Sequence, residues 1–135
     1  ICLGMQLLAE YSNEFGRHEG LGLIKGEVSP LPSHTGLRVP NIGWCDVQAR
    51  KTSRLLPKHQ NRFEKTSTFY FVHGYYFDCK NKYDIQASFR FGDILVPAII
   101  EREYIFGVQF HPEKSQDVGL EVLSNFARLA EYRDV

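Results

Sequence analysis

Apolar residues are grouped into short runs along much of the chain, and this pattern predicts a series of β-strands. Residues 68–77 (TFYFVHGYYF) form a dense aromatic and β-branched run, which predicts one buried strand. The segments IQASFRFG, ILVPAIIE and YIFGVQF, which begin at residues 85, 94 and 104, predict three more short strands.

A helical period appears near the carboxyl end of the chain. In residues 117–133, Val118, Val122, Phe126 and Ala130 recur at four-residue steps, with Leu123 and Leu129 beside them. This spacing predicts an amphipathic helix that packs one face on a core, although Gly119 weakens it by about 1 kcal/mol relative to alanine. A second, shorter helix is expected over residues 5–11.

The other segments carry weaker signals. Residues 20–28 are punctuated by glycine and then β-prone, and residues 29–36 contain two prolines and a glycine, which predict a loop. Residues 37–48 resemble a strand interrupted by Pro40 and Gly43, and the polar residues 50–65 predict a surface helix or loop. The mixed order of strands and helices predicts an α/β fold, and 135 residues suit one domain spanning 1–135.

Composition and charge exclude several classes of protein. The chain is 43% apolar and has a formal net charge of zero, so we expect neither a nucleic-acid partner nor a charged membrane surface. It has no apolar run of the roughly 20 residues that cross a bilayer. The three cysteines are odd in number, which argues against a disulfide framework, so we expect a cytoplasmic protein. They also lack the spacing of metal ligands, so we expect no metal site.

The segment YIFGVQFHPEK places a histidine and a carboxylate close together. Because strand side chains alternate between faces, His111 should lie on the face opposite to that of Phe106 and Phe110. Pro112 should end the strand, since it has no N–H to donate. Glu113 could then accept the Nδ1–H of His111, which would leave Nε2 free to act as a base.

The other chemically informative stretch is ICLGMQLL at residues 1–8. Cys2 directly before a short helical pattern fits a strand-to-helix elbow, where the backbone N–H of Leu3 could donate to an oxyanion and Gly4 could allow a tight turn. A neighbouring imidazolium would lower the pKa of the thiol. A lone cysteine or a lone histidine is more often structural, but the two segments together predict a triad of Cys2, His111 and Glu113.

These segments resemble a known family. C-L-G-M-Q at residues 2–6 and G-V-Q-F-H-P-E at residues 107–113 are similar to the motifs of class I, triad-type glutamine amidotransferases. The resemblance implies a flavodoxin-like three-layer α/β sandwich in which this chain is the carboxyl-terminal two thirds, starting at the nucleophile elbow. The missing front would carry several central strands and the second oxyanion donor, so we expect the 135 residues alone to be poorly stable and catalytically impaired.

The resemblance also assigns a substrate and a set of residues. It implies hydrolysis of glutamine without a cofactor, with the substrate held by the following residues: Leu3, Gly4, Gln6, His73, Gly74 and Tyr75. Further segments, among them VPNIGW and FYFVHGYY, resemble the glutaminase subunits of imidazole glycerol phosphate synthase. That implies a (β/α)8-barrel cyclase subunit as partner, which receives ammonia through a tunnel and is contacted by these residues: Pro40, Asn41, Trp44 and Lys114.

Three positions depart from that subfamily. It usually has histidine where this chain has Asn41, asparagine where it has Cys45, and serine where it has Gly74. One alternative is therefore a paralogue that supplies ammonia for amidating a sugar in surface-polysaccharide synthesis. Others are a stand-alone cysteine hydrolase, against which Gln6 and the His-Pro-Glu motif argue, and a binding subunit that keeps the motif without catalysis.

Overall fold

The computed structural model describes residues 1–58 and 66–131, and within them the chain forms a mixed α/β structure with two sheets. The first helix, α1, covers Leu3–Gln6, and the second, α2, covers Gln116–Glu131. In the described part of the chain, nine strands run in this order: β1 Tyr11–Ser12, β2 His18–Glu19, β3 Gly26–Pro30, β4 Asn41–Ala49, β5 Thr66–His73, β6 Tyr75–Cys79, β7 Ile85–Phe91, β8 Ile94–Arg102 and β9 Ile105–Val108. Short 3₁₀ turns at Lys82–Asp84 and Pro112–Lys114 follow β6 and β9.

The smaller sheet has the strand order β2-β1-β3-β6, and its β1–β3 pair is parallel. The larger sheet has the order β5-β4-β7-β8-β9, and all its pairs are antiparallel. After β9 the chain crosses from one edge of the larger sheet to the other: Gln109 N–H donates to the Ala98 carbonyl on β8, and His111 N–H donates to the Tyr70 carbonyl on β5. The two edges of the sheet therefore meet around residues 109–111.

The core lies in two parts. The larger part packs the inner face of the five-stranded sheet against α2, and it includes a stacked pair, Phe69 and Phe110, with ring centroids 4.0 Å apart. The smaller part holds α1 against β6 and β8 through Met5, Phe77 and Ile100, each almost completely buried. Burial of such side chains contributes about 1.5–3 kcal/mol each, so α1 is fixed by packing in spite of its single turn.

The predicted α/β class is confirmed, and so are the strands that became β7, β8 and β9 and the amphipathic helix α2. Val122 is buried on α2, and Val118 and Leu129 pack against the core, whereas Phe126 is half exposed. Residues 132 and 133 of the predicted helix lie outside the described residues.

The prediction of one strand over residues 68–77 was wrong. The run contains β5 and β6, which belong to different sheets and are separated at Gly74. The Gly74 carbonyl accepts from Leu31 N–H, so the backbone leaves one sheet and enters the other at this residue. The aromatic density of the run reflects burial on both sides of this junction.

Two shorter expectations also needed correction. The helix expected over residues 5–11 is instead the single turn α1 followed by β1, because the chain must turn back to pair with β3. Gly43 lies within β4 and does not interrupt it, while Pro40 directly precedes the strand. Part of the segment 50–65, which was expected on the surface, is buried at Leu55 and Leu56, and its residues 59–65 lie outside the described part of the chain.

Candidate active site

Cys2 occupies a strained elbow directly before α1. Its backbone has φ 46° and ψ −108°, a combination that residues with a side chain rarely adopt. Its N–H donates to the Val108 carbonyl at the end of β9 over 2.8 Å, so the elbow is tied to the strand that leads to His111. The helical half of the predicted strand-to-helix elbow is therefore present, with Cys2 at the N-cap position of α1, and the strand that should lead into it is not among the described elements.

Gly107 permits this arrangement. An added Cβ at this position would lie 2.8 Å from Met5 Cγ and 3.3 Å from Leu8 Cδ1, closer than side chains normally pack. Gly4, in contrast, faces open space, since a Cβ there would meet nothing within 4 Å. The structure therefore shows no steric need for glycine at position 4. The position where a side chain would collide with α1 and Leu8 is Gly107.

His111 and Glu113 form the expected pair. His111 Nδ1 and Glu113 Oε1 are 2.6 Å apart, which is a short hydrogen bond. Burial alone would raise the pKa of Glu113, but a backbone N–H and the bond to His111 outweigh it, so that the pKa is lowered. Glu113 is thus a carboxylate at neutral pH and can orient the His111 ring.

Cys2 and His111 both contact β5, which is the outermost strand of the larger sheet among the described residues. Cys2 Sγ contacts the Val72 carbonyl at 3.8 Å, and His111 N–H donates to the Tyr70 carbonyl at 2.9 Å. Carbonyls two residues apart on a strand point to the same side and are about 7 Å apart. The Cys2 thiol and the His111 backbone therefore contact neighbouring positions of one strand, although the two residues are 109 positions apart in the sequence.

The resting thiol is not activated by its surroundings. Burial raises the pKa of Cys2, and the backbone N–H of Leu3 and the Gln109 side chain oppose that rise only in part. Burial also raises the pKa of Cys45 and, to about 11, that of Cys79. The lowered thiol pKa expected for Cys2 is therefore absent from this structure, and a thiolate must form by transfer of the proton to a base.

Gln6 and the segment 73–75 are joined by hydrogen bonds. Gln6 Nε2 donates to the Tyr75 carbonyl at 3.0 Å, and that carbonyl also lies 2.8 Å from His73 Nδ1. His73 is buried, and burial lowers its pKa, so the ring is neutral at physiological pH. Gln6 on α1 is thus linked to His73 through the Tyr75 carbonyl, and the Gln6 amide N–H groups already have acceptors within the protein.

A cavity of about 290 Å³ adjoins α1. Leu3 and Gln6 line it on one side and Glu14 on another. Its size suits an amino acid, and a carboxylate is the group that an α-ammonium prefers. Sequence analysis did not identify Glu14, because an isolated carboxylate in a polar segment carries no distinguishing pattern.

Two further residues that sequence analysis missed are Gln109 and Ser115, both completely buried. Gln109 Nε2 lies 3.5 Å from Cys2 Sγ. Ser115 Oγ accepts from Tyr70 N–H and donates to the His111 carbonyl, which fixes the turn after β9 to β5. The alternation of side chains placed Gln109 on the same face as His111, and this was the available signal.

Three of the four predicted interface residues lie on the surface. Trp44 is half exposed and meets Tyr70 edge to face, with ring centroids 5.7 Å apart, and Lys114 Nζ lies 6.0 Å from the same Tyr70 ring. Pro40 is exposed before β4. Asn41 differs, because its amide points to His73 Nε2 at 3.1 Å.

The unusual residues Asn41 and Cys45 contact each other. Asn41 Nδ2 is 3.6 Å from Cys45 Sγ, so these two departures are structurally linked. At Gly74 a side chain would meet only Pro40, at an ordinary 3.8 Å. The third departure therefore leaves space that a serine could occupy.

Two classes of feature were not found in residues 1–58 and 66–131. No helix there is long and apolar enough to span a bilayer. No group of three histidine, cysteine, aspartate or glutamate side chains in that part of the chain is arranged to bind a metal ion.

Sequence comparison finds relatives along most of the chain. The chain is 43% identical over 129 residues to "Imidazole glycerol phosphate synthase subunit HisH 1" of Campylobacter jejuni subsp. jejuni serotype O:23/36 (strain 81-176), covering 96% of this chain and 61% of that relative. It is 41% identical over 131 residues to the HisH subunit of Listeria innocua serovar 6a and 44% identical over 127 residues to that of Streptococcus sanguinis, covering 97% and 93% of this chain and 60% and 58% of those relatives. The chain thus spans about three fifths of the length of these curated relatives.

A family model describes nearly the whole chain. The model "Glutamine amidotransferase class-I" matches residues 1–129, which include the Cys2 elbow, the His111–Glu113 pair and most of α2. The chain belongs to the class I glutamine amidotransferase family.

Proposed function

We propose that this chain hydrolyses the side-chain amide of glutamine with Cys2, His111 and Glu113 as a catalytic triad. The observation that carries the proposal is that Cys2 Sγ and His111 N–H contact the carbonyls of Val72 and Tyr70 on the same edge of β5. The 2.6 Å bond from His111 to Glu113 supports it, because the carboxylate keeps the proton on Nδ1 and leaves Nε2 available to the thiol.

The reaction has two stages. In the first, His111 Nε2 takes the Cys2 proton, Sγ attacks the carboxamide carbon, and the nitrogen leaves as ammonia after receiving that proton, which leaves a thioester. In the second, His111 removes a proton from water, the hydroxyl group attacks the thioester, and glutamate is released as the Cys2 thiol is restored. The Leu3 N–H contributes one donor to the developing oxyanion.

The substrate is held beside α1. Glutamine would occupy the cavity next to Leu3 and Gln6, and Glu14 would accept its α-ammonium group. The Gln6 amide N–H groups already have internal acceptors, so this residue contributes to the site by shaping it and through its carbonyl oxygen. His73, Gly74 and Tyr75 do not line this cavity, but Tyr75 is joined to it through the bond from Gln6 Nε2 to the Tyr75 carbonyl.

The ammonia would be passed to a partner. We propose that the chain is part of a glutaminase subunit of imidazole glycerol phosphate synthase in histidine biosynthesis, paired as a heterodimer in the cytoplasm with a (β/α)8-barrel cyclase. The names of the relatives support this assignment. The exposed side chains of Trp44 and Lys114 lie beside the Tyr70 ring, and the Tyr70 carbonyl accepts from His111 N–H, so a partner bound on this surface would be next to the proposed site of ammonia release.

The test compares ammonia release from glutamine, with and without a barrel partner, in the full chain and in Cys2→Ser. We expect Cys2→Ser to abolish turnover of glutamine while the complex still uses free ammonia. Cys45→Ser is the matched control, since Cys45 is also a half-buried thiol and it lies outside the triad. Normal glutamine hydrolysis by Cys2→Ser, or cleavage of peptides without release of ammonia from glutamine, would contradict the proposal. Co-purification with enzymes that amidate sugars would assign the chain to surface-polysaccharide synthesis instead of histidine biosynthesis, and it would leave the proposed glutaminase activity standing.

A further inference from the structure

Gln109 is a fully buried polar side chain in the space between β9 and α1. It is 0% exposed and lies two residues before His111, on the bridge between the two sheet edges. A buried amide is costly unless its donors and acceptors are satisfied. Both ends of the Gln109 amide have partners: Gln6 on one side at 3.1 Å and Cys2 Sγ on the other at 3.5 Å.

The neighbouring groups fix which end of the amide faces the sulfur. The Tyr75 carbonyl can only accept, so the Gln6 atom 3.0 Å from it must be the N–H donor Nε2. The same Nε2 faces Gln109, and the Gln109 atom opposite it must therefore be the acceptor Oε1. It follows that Gln109 presents its Nε2–H group to Cys2 Sγ.

We propose that Gln109 donates a hydrogen bond to the Cys2 sulfur and stabilises its thiolate, and that Gln6 orients Gln109 for this purpose. The inference rests on the proposed function, in which Cys2 is the nucleophile. A bond from a neutral donor to a charged sulfur is stronger than one to a thiol, and burial strengthens it further. The donor remains in place whichever protonation state His111 adopts.

This gives Gln109 a task different from that of His111. His111 moves the proton, whereas Gln109 fixes the position of the sulfur and holds its charge during attack on the amide. The charged side chain that acts on the sulfur is Glu113, which raises the pKa of Cys2. Its charge stays the same when only Gln109 is changed, so a comparison of variants isolates the amide.

The experiment measures the alkylation rate of Cys2 by iodoacetamide as a function of pH in the full chain, with the modified cysteine identified by mass spectrometry. Gln109→Met keeps the length of the side chain and removes the donor. We expect the pH midpoint of alkylation to rise by about one unit and the rate below the midpoint to fall about tenfold. Gln109→Glu keeps an acceptor for Gln6 and places a carboxyl group at the sulfur, so its midpoint should rise at least as far.

Gln86→Met is the matched control, because Gln86 is also a largely buried glutamine on a strand and its amide donates to a carbonyl. It should leave the Cys2 midpoint unchanged. An unchanged midpoint in both Gln109 variants overturns the inference. Slower alkylation by the same factor at every pH, together with a lower melting temperature, also overturns it, because Gln109 would then act only through packing. If Gln109→Met does not fold, the pH midpoint of Cys2 alkylation in the nearly isosteric Gln109→Glu variant tests the inference. If the midpoint shifts but the unmodified chain releases no ammonia from glutamine, the proposed function fails and the contact to Cys2 stands.

Discussion

Asn41 and His73 are paired across β4 and β5, and the Asn41 amide lies 3.1 Å from His73 Nε2. His73 Nδ1 donates to the Tyr75 carbonyl, so Nε2 carries the lone pair and accepts from Asn41. The tautomer of a buried histidine is thus set by one residue on each side. Asn41 stands where the resembled subfamily usually has histidine, and in this chain it is the donor that the ring requires.

Asn41→Leu is expected to destabilise the protein. The substitution removes the donor to a buried ring nitrogen, and an unsatisfied buried acceptor costs about 1–3 kcal/mol. Urea denaturation followed by circular dichroism would measure the loss in the free energy of unfolding. Asn13→Leu is the control, since that side chain is exposed and its partner is Glu27; equal effects of the two substitutions would show that the Asn41 bond contributes nothing.

His73 should make the protein sensitive to acid. Burial lowers the pKa of His73 in the folded state, so from about pH 6.5 downwards the unfolded chain binds a proton that the folded chain excludes. Stability is then complete above that pH and falls as the pH decreases, by at most about 1.4 kcal/mol per unit, until the folded-state pKa is passed. Denaturation at pH 7.5 and 5.5 should show a smaller difference for His73→Gln than for the unsubstituted chain. His18→Gln, at an exposed position, should retain the full difference.

Gly107→Ala is expected to disturb the Cys2 elbow. The new methyl group would lie 2.8 Å from Met5 Cγ in a closely packed site, and overpacking costs about 1–3 kcal/mol. Because Met5 is part of α1, the strain would also displace Cys2, and kcat should fall together with the melting temperature. For thermal stability, Gly4→Ala is the matched substitution, and it should have little effect because a Cβ there meets open space. A Gly107→Ala protein with native stability and activity would show that α1 adjusts freely.

Glu113→Gln should lower kcat more than it changes KM. The amide can still accept from His111 Nδ1, but the negative charge that favours the imidazolium is lost. We expect a loss of about 10²-fold, at the lower end of what acid–base groups contribute. Glu121→Gln on the exposed side of α2 is a control with the same change in charge. A loss confined to KM would assign Glu113 to substrate binding.

The elements predicted correctly are those that depend on residues close together in the sequence. The antiparallel strands β7 and β8 were predicted because each is a run of apolar residues bounded by turns, and α2 because Val118 and Val122 recur at helical spacing. The change of sheet at Gly74 could not be predicted, since it is caused by a hydrogen bond to the distant Leu31.

The candidate site shows the same division. Cys2, His111 and Glu113 were predicted as a triad because their short motifs carry a recognisable chemistry, and their catalytic roles stay predictions. Gln109 was not predicted, because the role proposed for it depends on Gln6, which is 103 residues away, and on the orientation of both amides. The expected low pKa of Cys2 also failed, since burial is a property of the folded chain that the motif does not encode.

The backbone of Cys2 has a further consequence for how this protein can change. At φ 46° and ψ −108°, glycine would be the most stable residue, and any side chain costs about 1–3 kcal/mol there. Selection for stability alone would therefore replace the thiol, whereas serine or alanine would keep the strain and lose the chemistry. If Cys2 is the nucleophile, as proposed, a relative with glycine at this position would be a more stable protein without the reaction, and we expect cysteine to persist only in lineages that still use it.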